Sequence, residues 1–242
     1  FFFWGFIASS NSVFIPFCKH KFHLDQFQSQ LVDFAFYLAY YIGALGLFAY
    51  GAFGGKDLVG KWGYKKSIVY GLLFSAIGAI AMIIAVNANT FTGMLVGLFI
   101  VALGFSLQQT AANPFAILLG DPKTGASRVN LGGGINSFGT TIGPLVVSFA
   151  IFGSSVAGAE TEMSIESVKI PYLVLGLAFL LVAILLKFSS LPDKPALVEE
   201  TEAHDGVPAK KSALQYPQLV MGMIAIFLYV GVEVSTASNL PA

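Results

Sequence analysis

The sequence predicts an all-α polytopic membrane protein. Of its 242 residues, 56% are hydrophobic and 11% are charged, whereas soluble domains carry roughly 25% charged residues. The charged residues also fall into short clusters that separate long uncharged runs. Because a helical span needs ~20 predominantly apolar residues, each run is a candidate span. We count seven of them, at about 1–17, 27–53, 67–87, 91–120, 129–153, 170–186 and 216–232.

The order of these runs predicts two helical bundles. The chain opens inside the first run and stops near the end of the seventh, so we expect a fragment of a longer protein. A six-helix transmembrane bundle is expected at 1–189, and the truncated first helix of a second bundle at 216–242. Residues 190–215 between them are charged and contain prolines, which is typical of a linker.

The remaining composition argues against several functional classes. A net charge of zero gives no reason to expect a nucleic acid partner, and the single cysteine, Cys18, cannot form an internal disulfide. The three histidines lie in polar loops without metal-ligand spacing, namely His20, His23 and His204. The spans show no Ser/His/Asp set and no pair of acids at one depth. We therefore expect neither an enzyme nor a bound metal or cofactor.

The basic residues predict the orientation in the bilayer. Cytoplasmic loops carry an excess of Lys and Arg close to the span ends. Alternate loops here hold ten basic residues: Lys56, Lys61, Lys65, Lys66, Lys123, Arg128, Lys187, Lys194, Lys210 and Lys211. The opposite loops hold three: Lys19, Lys21 and Lys169. We therefore expect a multi-pass protein of the cell (inner) membrane, with its N-terminus and the linker 190–215 in the cytoplasm.

Two acidic residues, Asp33 and Glu233, fall well inside apolar runs. A charge at mid-membrane costs ~2.5–3.5 kcal/mol on insertion scales, and ionisable residues there usually face a cavity or pathway. Tyr37 and Tyr40 follow Asp33 at i+4 and i+7, so they share its helix face. The pattern predicts a carboxylate that couples proton movement or accepts sugar hydroxyls. The alternative is a carboxylate that bonds to another helix or meets water at the span end.

Uncharged polar residues cluster in three of the spans. Gln109 and Asn113 lie four residues apart in the fourth, Asn136 lies in the fifth, and Trp4 and Asn11 lie seven apart in the first. Amides supply both donors and acceptors, which suits a neutral polyhydroxylated ligand, and aromatic rings offer apolar faces to a sugar ring. The candidate substrate contacts are Asn11, Gln109, Asn136, Tyr37 and Trp4. The alternative is that the amides bridge helices, at about 0.6–2 kcal/mol each, and Asn113 beside Pro114 fits repair of the disrupted backbone equally well.

Small residues recur at a spacing that permits close helix packing. The motif Gly139-x-x-x-Gly143 lies in the fifth span and Gly93-x-x-x-Gly97 in the fourth. Glycines four residues apart let two helix backbones approach each other. The run 132–134 is also glycine, but a phosphate loop would need a preceding strand and a Lys-Ser/Thr pair. We therefore expect helix packing from these glycines.

The loop GGKDLVGKWGYKKS after the second span is rich in lysine and glycine. Its composition is explained by the charge rule for inside loops alone. A functional interpretation adds a cytoplasmic gate, in which Asp57, Lys61 and Lys65, together with Arg128 from the next inside loop, contact neighbouring helix ends. Both interpretations stay open at the level of sequence.

Six stretches carry a resemblance to a known family: FFFWGFIASSNSVFIP, FQSQLVDFAFYLAYYIGAL, GYKKSIVYGLL, QTAANPFAILLG, RVNLGGGINSFGTTIGPL and YVGVEVSTAS. They occur in order along the whole chain. The chain resembles the fucose permease and glucose/galactose porter branch of the major facilitator superfamily. The resemblance implies twelve spans in two six-helix bundles, alternating access, and sugar uptake coupled to an ion, usually a proton.

The resemblance also implies which positions bind and couple, and where this chain departs. The fucose permease pattern has Asn-Asp where this chain has Asn11-Ser12, and a glutamate where Gln109 stands. Its span-five asparagine matches Asn136. Both of its coupling carboxylates are therefore replaced, and Asp33 occupies a position at which these relatives commonly have glutamine. Our hypothesis is that Asp33 has taken over the titrating role.

The gate loop departs from the family as well. The family places an aspartate five residues after its first glycine, but Gly60 stands at that register and Asp57 lies three residues earlier.

The leading interpretation is a monomeric transporter of a neutral hexose, deoxyhexose or amino sugar in the lipid bilayer, coupled to protons through Asp33 and Glu233. Sodium coupling, uncoupled transport, and a non-transporting sugar sensor or scaffold are the alternatives.

Overall fold

A computed structural model describes residues 1–54, 57–153, 165–193 and 215–239. The regular structure in these ranges is helical. The α-helices are α1 (Phe2–Lys21), α2 (Gln26–Gly54), α3 (Leu58–Trp62), α4 (Tyr64–Asn87), α5 (Phe91–Leu118), α6 (Gly125–Phe152), α7 (Lys169–Phe188) and α8 (Pro217–Asn239). Short 3-10 turns at Pro122–Thr124 and Ile165–Val168 precede α6 and α7.

The chain divides into two compact units, Phe1–Pro195 and Ala196–Ala242. The first unit contains α1 to α7, and the second contains α8. The predicted linker falls mostly on residues 194–214, which lie outside the described residues. The predicted domain boundaries therefore stay predictions.

Six helices among the described residues are long and apolar enough to cross a bilayer: α2, α4, α5, α6, α7 with its leading turn, and α8. The first of the seven predicted spans, α1, is a helix of 20 residues but is not among the six. Its polar segment of Ser9, Ser10, Asn11 and Ser12 lowers its hydropathy. The prediction of an all-α polytopic membrane protein is confirmed.

Local sequence signals set the beginnings of two helices. Asp25 and Gln28 form a reciprocal capping box at the start of α2: the Gln28 N–H donates to Asp25 Oδ1 at 2.7 Å, and the Asp25 N–H donates to Gln28 Oε1 at 3.1 Å. Each side chain thereby satisfies a backbone donor that the helix leaves unpaired. Asp57 caps α3 in the same manner, since its carboxylate accepts from the N–H groups of Val59 and Gly60.

Glycine contacts bring the helix backbones together in two pairs. In α4 and α5, a Cβ atom on Gly71 would lie 2.7 Å from the Gly104 carbonyl oxygen, and one on Gly104 would lie 2.5 Å from that of Gly71. In α1 and α6, a Cβ on Gly143 would lie 2.5 Å from the Phe6 carbonyl oxygen, and one on Gly139 would overlap that of Phe2. The predicted role of the Gly139-x-x-x-Gly143 motif in close packing is confirmed.

Aromatic side chains fill the centre of the first unit. Phe179 of α7 is fully buried and makes edge-to-face contacts with Phe105 of α5, at 5.7 Å between ring centroids, and with Phe3 of α1, at 4.9 Å. Such pairs are stabilising beyond the area that they bury. Phe179 therefore joins three helices, and α2 completes the unit by packing on α5 and α1.

Candidate functional site

Asn11 and Asp33 are brought into direct contact by the packing of α1 against α2. The Asn11 Nδ2 group donates a hydrogen bond of 2.9 Å to Asp33 Oδ1. Asn11 is 3% exposed and Asp33 is half-buried. An amide donor stabilises a carboxylate, so this hydrogen bond offsets part of the free-energy cost of placing Asp33 inside a span. The two residues were predicted as site residues, but their contact was not.

The two predicted aromatic platforms lie in different environments. Tyr37, one turn after Asp33 on α2, is 39% exposed, and its ring meets that of Phe36 edge to face. Trp4 is 7% exposed and its ring centroid lies 4.8 Å from that of Phe1. The Trp4 Nε1–H has no hydrogen-bond partner among the described residues. A buried indole N–H usually has a hydrogen-bond partner. The Trp4 N–H is therefore available to donate to a ligand, whereas the buried ring offers little of its face for stacking.

The adjacent glutamines of α5 point to different sides of the helix. Gln108 is 3% exposed, and its Nε2 donates to Ser75 Oγ of α4 at 3.1 Å, while Ser75 Oγ donates to the Val101 carbonyl. Gln109 is exposed, as a ligand contact requires. Gln108 is a packing residue that the sequence did not separate from its neighbour. Successive helix positions differ by ~100°, and only the packing partner decides which of them is buried.

Asn136 of α6 lies directly against α1. A Cβ atom on Gly5 would overlap the Asn136 carbonyl oxygen and lie 2.6 Å from Thr140 Oγ1. Thr140 Oγ1 donates back to the Asn136 carbonyl at 3.1 Å. The Asn136 residue is half-buried. The predicted sugar contacts Asn11 and Asn136 thus belong to two helices that touch along their length.

A small cavity of about 20 Å³ lies where α1, α6 and α7 meet. Its polar lining comes from Ser10, Asn11 and Tyr172, and the rest is apolar. A water molecule needs roughly 10–15 Å³ by this measure, so the cavity has room for a water and not for a sugar. Asn11 therefore lines this cavity as well as bonding to Asp33.

The four predicted gate residues make separate contacts. Asp57 caps α3, and Lys61 on the same short helix is exposed. Lys65, 9% exposed at the start of α4, donates to the carbonyls of Ser189 at 2.8 Å and Leu191 at 3.2 Å. Arg128 instead binds the end of α5. The structure does not join the four into one cluster.

Arg128 spreads its guanidinium over the C-terminal end of α5. Nε donates to the Ala116 carbonyl at 2.7 Å, and Nη2 donates to the carbonyls of Ile117 and Asp121. Nη1 donates to Thr124 Oγ1 at 2.6 Å. The Ala116 and Ile117 carbonyls lie in the last turn of α5, where the helix leaves carbonyls unpaired, and a cation there also complements the helix dipole.

Two further observations complete the placement of the predicted residues. Glu233 lies on α8 in the second unit, where it is exposed. Sequence reasoning missed the ion pair between Lys66 and Asp193, whose charged atoms lie 3.0 Å apart. The two residues are too far apart in the sequence for spacing to reveal the pair. Within the described ranges, no group of three or more His, Cys, Asp or Glu side chains could hold a metal ion.

The chain is similar to known proteins along its whole length. The model of the Major Facilitator Superfamily matches residues 1–242. The glucose/galactose transporter of Brucella abortus biovar 1 (strain 9-941) is 39% identical over 244 residues, covering 99% of this chain and 55% of the relative. The L-fucose-proton symporter of Escherichia coli (strain K12) is 30% identical over 261 residues, covering 99% and 56%.

The fold of the chain is also similar to that of a solved structure. The crystal structure of the transporter FucP in the outward conformation superimposes with a TM-score of 0.60 and 29% identity, covering 79% of this chain and 48% of that one. The chain spans about half the length of the curated relatives it matches.

Proposed function

The chain belongs to the Major Facilitator Superfamily, and from that premise we propose that it forms the first bundle of a secondary transporter that takes up a neutral monosaccharide by alternating access. Relatives named as a glucose/galactose transporter and as an L-fucose-proton symporter support sugar transport. The substrate class is a hexose, deoxyhexose or amino sugar. In such transporters the substrate binds near the midplane, at the interface between the two repeats.

The substrate contacts proposed from this bundle are Gln109, Asn136, Tyr37 and Trp4, whereas Asn11 is bonded to Asp33 behind them. Gln109 and Tyr37 are exposed on the bundle, and Asn136 is half-buried. Amide groups can donate to and accept from the same sugar. Trp4 is nearly buried, so its contribution is a hydrogen bond from Nε1 rather than a broad stacking face.

Asp33 is the proposed proton-coupling group, and its contact with Asn11 is the observation that carries the proposal. The carboxylate lies inside an apolar helix, is half-buried, and accepts a hydrogen bond from a second helix. Ionisable residues in such positions mark proton relays. Glu233 is proposed as a second coupling acid, on the grounds of its place inside the apolar helix α8.

The experiment is uptake of labelled hexoses, deoxyhexoses and amino sugars by the full-length protein in proteoliposomes. A proton gradient should drive accumulation of one sugar class, and Asp33→Asn should abolish the accumulation while counterflow of the same sugar continues. Glu233→Gln is measured in parallel, because a loss confined to that variant would move the coupling role to α8.

Other outcomes would overturn parts of the proposal. Accumulation driven by sodium at constant pH contradicts proton coupling. Sugar binding without counterflow contradicts transport and indicates a sensor or scaffold. The proposed inner-membrane topology, with the N-terminus and residues 190–215 in the cytoplasm, is tested by labelling single introduced cysteines from either side. The proposed monomer is tested by its mass in nanodiscs.

A further inference from the structure

The Asn11 side chain is directed toward Asp33 of α2. Only 3% of the residue is exposed, and its Nδ2 donates to Asp33 Oδ1 at 2.9 Å. A group that reads a sugar has to present its polar atoms to the ligand. We infer that Asn11 is a positioning residue for the coupling carboxylate and does not contact the sugar. The inference rests on the proposed function, since it requires Asp33 to gain and lose the coupled proton.

An amide is suited to a partner whose protonation changes. The charged carboxylate of Asp33 can only accept hydrogen bonds, whereas the neutral acid also has an O–H to donate. The Asn11 amide has both an NH₂ donor and a carbonyl acceptor. It therefore donates to the charged form and, after rotation about its last torsion, accepts from the neutral form. The contact between α1 and α2 persists in both states, but with its direction reversed.

The charged and titratable groups around the pair lie on α2 itself and on the helices that pack against it. On its own helix Asp33 is followed by the phenols of Tyr37 and Tyr40. Helix α5, which packs on α2, has no ionisable side chain between Phe91 and Leu118. Helix α3 meets α2 at its opposite end, with Asp57 and Lys61. The ionisable residues of α1 lie at its C-terminal end, roughly 10 Å or more along the axis from Asn11: Cys18, Lys19, His20 and Lys21.

Helix α1 lies between the proton site and the helix that carries Asn136. On one side Asn11 bonds to Asp33 of α2, and on the other Gly5 packs against the Asn136 backbone of α6. A reversal of the Asn11 bond changes how α1 is held against α2. The same rigid helix then presses on α6 at backbone distance, so Asn11 provides a physical link between protonation and the sugar-binding helix.

The test measures the pH of half-maximal uptake and the sugar Kd at low pH in full-length protein. Asn11→Ala should move the pH midpoint of uptake by about one pH unit, because the Asp33 carboxylate loses its hydrogen-bond donor on α1. Asn11→Asp should move it further, since it places a second carboxylate beside Asp33. Asn11→Gln keeps the donor and should shift it least. The sugar Kd at low pH should change less than about twofold.

Ser10→Ala is the matched control. Ser10 is buried on the same helix, but among the described residues its hydroxyl bonds to the Phe6 carbonyl of its own helix and not to α2, so the midpoint of Ser10→Ala should equal that of the parent. Thermal unfolding checks that each variant is folded, and Asn11→Asp serves if Asn11→Ala is not. A tenfold rise in Kd at every pH with an unmoved midpoint overturns the inference and makes Asn11 a sugar contact. An unmoved midpoint in all three variants also overturns it, whereas retained accumulation in Asp33→Asn refutes the proposed coupling itself.

Discussion

The Gly5 backbone of α1 lies against the Asn136 carbonyl of α6, so closely that a Cβ atom on Gly5 would overlap that oxygen. The contact is to backbone, which cannot rotate away as a flexible side chain would. Asn136, which is proposed to bind sugar, is therefore packed against a glycine, a residue without a side chain. Close packing of this kind depends on small residues at the helix interface.

Gly5→Ala should push α1 from α6 and lower both stability and uptake. Overpacking of a tight interface costs about 1–3 kcal/mol, and we expect a lower thermal midpoint together with at least a tenfold weaker sugar Kd. Gly46→Ala on α2 is the control, because a Cβ there meets no atom within 4 Å. It should leave the thermal midpoint unchanged or raise it, since alanine favours a helix over glycine. Equal effects of the two variants would contradict this account of Gly5.

The neighbouring glutamines of α5 should separate binding from stability. Gln109→Ala should weaken sugar binding about tenfold, which corresponds to one lost hydrogen bond of ~1.4 kcal/mol, without changing the thermal midpoint. Gln108→Ala should leave the sugar Kd unchanged and destabilise the protein by about 1 kcal/mol, since it removes the bond to Ser75. Isothermal titration and thermal unfolding of the two variants measure both quantities. An exchange of the two phenotypes would place Gln109 in the packing and Gln108 in the site.

The helical spans can be predicted from hydropathy. In lipid each span must pair its backbone N–H and C=O groups within the helix, and it needs ~20 apolar residues to cross the bilayer. The run at 67–87 corresponds to α4, which begins earlier, at Tyr64, since basic residues at a span end still continue the helix. The short helix α3 was not predicted. It begins at the Asp57 cap and ends at Trp62, where it is followed by Gly63, whose φ of 89° favours glycine.

The candidate site can be predicted from the sequence only in part. Asp33 and Asn11 stood out as polar residues in apolar runs, but their contact joins residues 22 positions apart on two helices. The rotation of each helix about its axis is fixed by packing, such as the α1–α6 glycine contacts, and sequence spacing within one helix does not specify it. The same limit applies to Lys65, whose carbonyl partners lie more than 120 positions away.

Lys65→Met should loosen the segment that follows α7. The lysine Nζ binds the carbonyls of Ser189 and Leu191, and methionine keeps much of the apolar stem but cannot donate. Hydrogen–deuterium exchange should become faster in the segment around 189–193, because that segment loses its anchor. Lys61→Met is the control, since Lys61 is exposed on α3. Unchanged exchange in Lys65→Met would show that the anchor does not hold the segment in solution.

Arg128→Lys should behave almost like a complete loss of the side chain. The guanidinium donates to three carbonyls and one hydroxyl at once, whereas a lysine ammonium is a single point with three donors and cannot span them. We expect a loss of about 1–3 kcal/mol, since carbonyls at the end of α5 are left without a donor, measured by thermal unfolding. Lys123→Met, in the short turn that precedes α6, removes a charge while Arg128 stays in place, and it should be mild. If Arg128→Lys were silent and Lys123→Met were damaging, net charge on this face would be the controlling property, and the geometry of the guanidinium would not matter.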